Sequence, residues 1–85
     1  MPEISFFFGI RITMNSKDHN KPHFHASYGE YKANFDFDGE ITKGKFPPKQ
    51  AKIVAAWAVI HKDELLKNWE LAKEGEHTFD ISPLK

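Results

Sequence analysis

The chain has 85 residues, 40% of them hydrophobic and 14% aromatic, and its twelve basic and twelve acidic side chains cancel. That is one small globular domain with a modest core, not a disordered segment. With no cysteine, disulfides and thiolate metal sites are excluded; no apolar run reaches the roughly 18 residues of a membrane span, and the interspersed charges give no basic face, which disfavours nucleic acid as a partner.

The opening "MPEISFFFGIRITM" has neither a basic leader nor a small-residue cleavage site, so a cytoplasmic location is expected. Ile4, Phe6, Phe8, Ile10, Ile12 and Met14 occupy alternate positions, which predicts a strand over about 4–14 with those residues inward. Phe7 breaks the alternation and is placed with Arg11 on the polar side, where an aromatic ring and a guanidinium could meet a base. "NSKDHNKP" then reads as a loop.

The segment "HFHASYGEYKANFDF" predicts a hairpin with strands over about 22–28 and 31–37. Gly29-Glu30 suits a two-residue turn, Gly29 supplying the positive φ of a type II′ turn. Tyr28 then faces Tyr31, Ala26 faces Ala33 and Phe24 faces Phe35, an unbroken apolar set on one face. On the reverse face His23 lies opposite Asp36, His25 opposite Asn34 and Ser27 opposite Lys32. "FDGEI" predicts a second tight turn and a strand over about 40–45.

Pro47-Pro48 fits a helix start and Gly75 a helix end, so a helix is predicted over about 48–74. At about 1.5 Å per residue it would run roughly 40 Å, against a sheet about 20 Å deep. Either it breaks near His61-Lys62-Asp63, where Asp63 could cap a second helix, or it overhangs the sheet. The run "IVAAWAVI" is apolar around its circumference, which predicts a partner surface that includes Val54, Ala58 and Val59. Residues 77–82 are expected as a short strand or tail. The fold class is α+β: a three- or four-stranded antiparallel sheet covered on one face by a long or kinked C-terminal helix.

Three segments, "FFGIRI" at 7–12, "DHNKPHFHASYGEY" at 18–31 and "WAVIHKDELLKNWELAKEG" at 57–75, together resemble the bacterial family catalogued as domain of unknown function 4160. The resemblance implies a small cytoplasmic α+β protein, and genes of this kind that lie in pairs imply a toxin–antitoxin-like system. It carries no activity.

Three of the five histidines fall in "HNKPHFH", residues 19–25. His23 and His25, about 7 Å apart on one strand, with Asp36 across the hairpin and His19 from the loop, form a candidate site for a divalent transition metal such as zinc. Without a metal, His23 held by Asp36 is a candidate general base for a hydrolytic, nuclease-like activity. Neither a Gly-x-Ser-x-Gly nor a phosphate-loop pattern is present to support one. The favoured expectation is a protein-interaction module, a homodimer or one half of a small protein pair, with no cofactor required and no membrane contact.

Overall fold

The computed structural model describes residues 3–15 and 21–84. Its elements are β1 (Glu3–Phe7), β2 (Ile10–Thr13), β3 (His23–Tyr28), β4 (Tyr31–Asp36), β5 (Ile41–Lys45), α1 (Pro48–Ile60) and α2 (Lys62–Lys73). The strands form a five-stranded antiparallel meander in the order of the chain. Five strands replace the three or four expected, and the long or kinked helix is two helices.

The extra strand comes from a turn inside the stretch read as one strand. Phe8 and Gly9 both have positive φ, 50° and 75°, as a two-residue type I′ turn requires. Such a turn pairs Phe7 with Ile10 and Phe6 with Arg11, so the inward parity switches between β1 and β2. Phe7 is therefore buried against Trp57, with ring centroids 5.3 Å apart. Phe6 and Phe8, expected inward, are 54% and 57% exposed. A register shift between Glu3 and Ser5 lets Ile4 and Ser5 both turn inward, as a bulge does.

The inner face of the sheet carries Ile10, Ile12, Phe24, Ala26, Ala33 and Phe35, all buried. Phe24 stacks on Phe35, and Trp57 of α1 meets Phe24 edge-on at 5.6 Å. Such aromatic pairs add to the area term that holds the two layers together. Gly39, in the β4–β5 turn, permits the close seating of α1: a Cβ there would lie 2.8 Å from the Cα of Ala55.

The helix breaks at His61, within the predicted stretch. His61 has φ −107° and ψ 25°, outside helical values, and its Nδ1 is bonded to the Glu64 carboxylate. Lys62 then reaches back to Asp38 in the β4–β5 turn at 2.7 Å, a hydrogen bond and charge pairing that raise the Lys62 pKa above 10.5. Residues 77–82 form no strand. The tail is held instead by Ile81 N–H donating to the Ile4 carbonyl and by Trp57 Nε1 donating to the Ser82 carbonyl.

Candidate site on the open sheet face

The helices cover one face of the sheet, and the other face holds the polar residues of β3 and β4. Their register is the predicted one: His23 opposite Asp36, His25 opposite Asn34, Ser27 opposite Lys32. Gly29 has the positive φ expected of it, 57°.

His23 differs from the expected solvent-facing imidazole. It is buried, tilted against the Trp69 indole at 5.4 Å and edge-on to His25 at 5.1 Å. Its Nδ1 lies 2.9 Å from the Lys21 carbonyl oxygen. A carbonyl only accepts, so Nδ1 carries the proton, and in the neutral ring Nε2 is the basic nitrogen. Asp36 does not hold His23 through the oxygen that the turn uses. Its Oδ1 accepts the N–H groups of Asp38 and Glu40 at 3.0 and 2.9 Å and so closes the β4–β5 turn. His23 and Asp36 are register partners, and the hydrogen bonds described for His23 Nδ1 and Asp36 Oδ1 run to other groups. Among the described residues no three His, Asp or Glu side chains are grouped to hold a metal ion; His19, the fourth candidate ligand, lies outside the described residues.

Neighbouring pairings extend the face across the whole sheet. Phe6 pairs with Arg11, Arg11 with Ser27, Ser27 with Lys32, and Lys32 with Lys45, giving one row across five strands. The next row runs from Thr13 through His25 and Asn34 to Lys43. Arg11, Lys32, Lys43 and Lys45 thus share a face with Glu3, bonded to Arg11 at 3.0 Å, and with the turn-closing Asp36 and its backbone partner Glu40. Four cations that are interspersed in the sequence become neighbours through strand pairing.

Two adjoining depressions indent this surface. One, of about 450 Å³, is lined by Thr13, His25, Ser27, Lys32, Asn34 and Lys43 among others. The second, of about 430 Å³, lies by His23, Asp36 and Thr42 and shares Asn34 and Lys43 with the first. Ammonium groups, an amide and hydroxyls at the edge of a half-open groove suit an anionic, hydrogen-bonding ligand.

The helix-borne surface expected from the sequence is reduced. Val54 and Ala58 are fully buried in the chain's own core, whereas Val59 and its neighbour Ile60 are 63% and 64% exposed. Of the circumferential apolar run, Val54, Trp57 and Ala58 are buried, and Ala56, Val59 and Ile60 are exposed. No helix is long and apolar enough to cross a membrane among the described residues.

A five-stranded meander backed by two helices, with a polar open face, is a small two-layer α+β domain. The chain belongs to the family described as a domain of unknown function (DUF4160), whose model matches residues 9–70. That span runs from the β1–β2 turn into α2 and includes both depressions. No curated protein and no solved structure matches the chain.

Proposed function

We propose that the chain is a binding module whose working surface is the open sheet face and whose partner is anionic where it meets that face. The carrying observation is the pair of depressions that share Asn34 and Lys43, with Lys32 at the edge of one and His23 at the other. The expected role as an interaction module is kept, but its surface moves from the helix to the sheet. Val59 and Ile60 alone fall short of the roughly 800 Å² per partner of a stable interface. A partner protein in a toxin–antitoxin-like pair would then present its acidic groups to the sheet.

The test is a titration of the ¹⁵N-labelled chain with inorganic tripolyphosphate. Amide shifts at Ser27, Lys32, Asn34 and Lys43, reversed by salt, support the proposal. Shifts confined to α1 and α2, or none at millimolar ligand, overturn it.

One observation supports metal binding as a second reading. The His23 Nδ1–H bond to a backbone carbonyl is the outer-shell arrangement that orients a ligating imidazole, and the His25 ring is 5.1 Å away. Stoichiometric zinc in the untagged chain, lost in the His23→Ala/His25→Ala variant, would establish it. Equal zinc in both proteins would end it. The hydrolytic alternative has weaker support, since Asp36 Oδ1 already accepts two backbone N–H groups.

A further inference from the structure

We infer that the anionic partner is a single-stranded nucleic acid, lying across the strands with phosphates on Lys45, Lys32 and Arg11 and one base stacked on Phe6. The inference rests on the sheet-face reading and adds to it the chemistry of the partner.

Charge complementarity supplies the first part of the argument. The row Lys45–Lys32–Ser27–Arg11–Phe6 crosses four strand-to-strand intervals, roughly 19 Å at about 4.8 Å each. Cations therefore recur along a line at right angles to the strands, the form of a track for a chain of phosphates. Acidic residues are present on the sheet as well, with Glu3 bonded to Arg11 and Glu40 paired with Asp36, but none of them stands in the row itself.

Phe6 supplies the second part, a stacking surface beside the cations. It sits at the β1 end of the same row, beside Arg11, and more than half of it is exposed. Phe8 in the adjoining turn is exposed as well. A bare phenyl ring at the end of a cationic row offers an unpaired base a stacking surface without regard to sequence. A duplex keeps its bases stacked on one another, so single strands fit better. Ser27 in the track and Asn34 beside it can hydrogen-bond base edges or sugar hydroxyls.

The experiment is fluorescence anisotropy of a labelled ten-nucleotide oligo-uridine at low salt, with oligo-thymidine of equal length alongside and polyglutamate as the acidic-protein probe. Wild-type chain should bind at least one oligonucleotide more tightly than polyglutamate. Phe6→Ala should weaken that binding about tenfold, within the range of one base–aromatic stack, and Phe6→Tyr should restore it. Lys32→Glu/Lys45→Glu should abolish it, while Lys67→Glu on α2 leaves it unchanged. The ratio of the two oligonucleotides says which sugar is preferred. If polyglutamate binds as well as either oligonucleotide, or Phe6→Ala changes nothing, the inference falls while the sheet-face reading survives. If no polyanion binds, both fall.

Discussion

Asn68 and Phe79 exchange two hydrogen bonds as neighbouring strands would. The Asn68 Nδ2 donates to the Phe79 carbonyl and the Phe79 N–H donates to Asn68 Oδ1, each at 2.9 Å. Asn68 is fully buried on α2, so its amide serves as the backbone partner that the tail would otherwise lack. The result fixes residues 77–84 over α1 and against β1.

Asn68→Ala should therefore cost about 2–4 kcal/mol, because two backbone groups lose their partners in a buried setting. Urea denaturation measures the loss. Limited proteolysis should cut the variant first in the tail, since Ile81 and the Trp57–Ser82 bond depend on the same docking. Equal cleavage in both proteins would mean that the tail is held by other contacts.

Phe8 is an aromatic residue at φ 50°, a left-handed conformation that costs an L side chain roughly 1–2 kcal/mol. Asparagine tolerates it, and Asn-Gly is the preferred type I′ pair. Phe8→Asn should raise stability by about 1 kcal/mol, read as a shift in the urea midpoint. A loss of stability would mean that Phe8 packs in a way its exposure does not suggest.

A charge placed on α1 should separate core from surface. Val54→Asp buries an unpaired carboxylate beneath the helix and should unfold most of the chain, since such changes cost on the order of 3–5 kcal/mol in a small domain. Val59→Asp, at an exposed position, should alter stability by less than about 0.5 kcal/mol. Sedimentation of the Val59 variant then tests the homodimer expectation cleanly. A wild-type dimer that dissociates on this change would return the partner surface to the helix.

The β3–β4 register was legible because Tyr28-Gly29-Glu30-Tyr31 fixes the turn and every facing pair on the inner side is apolar. The length of the helical stretch pointed to either a break near His61 or an overhang, and the structure has the break. The β1–β2 turn was not, because the apolar alternation from Ile4 to Met14 runs on through a reversal of the chain. A phenylalanine in a left-handed turn violates the preference that would have marked it. That one miss placed Phe7 outside and Phe6 inside. It also hid the face on which Phe6, Arg11 and Lys32 meet, since the cations come from separate strands and become neighbours only through two further registers.

The His23 environment was illegible for a related reason. Strand alternation puts it opposite Asp36, as observed, but not beside Trp69 on α2, 46 positions along the chain. Burial of that ring is a tertiary effect of where the second helix lands. Asp36 likewise turned out to serve the β4–β5 turn, a local backbone role that its position across from His23 did not reveal.

The claim that the open sheet face is the working surface is tested most directly by the affinity for inorganic tripolyphosphate, measured by calorimetry on wild type and two charge-reversal variants. Lys32→Glu/Lys43→Glu alters the groove, and Lys67→Glu/Lys73→Glu alters α2 by the same net charge. The account predicts at least a tenfold loss for the first pair and a change under twofold for the second. Equal losses in the two would show that only net charge matters, and no binding by the wild type would contradict the claim outright.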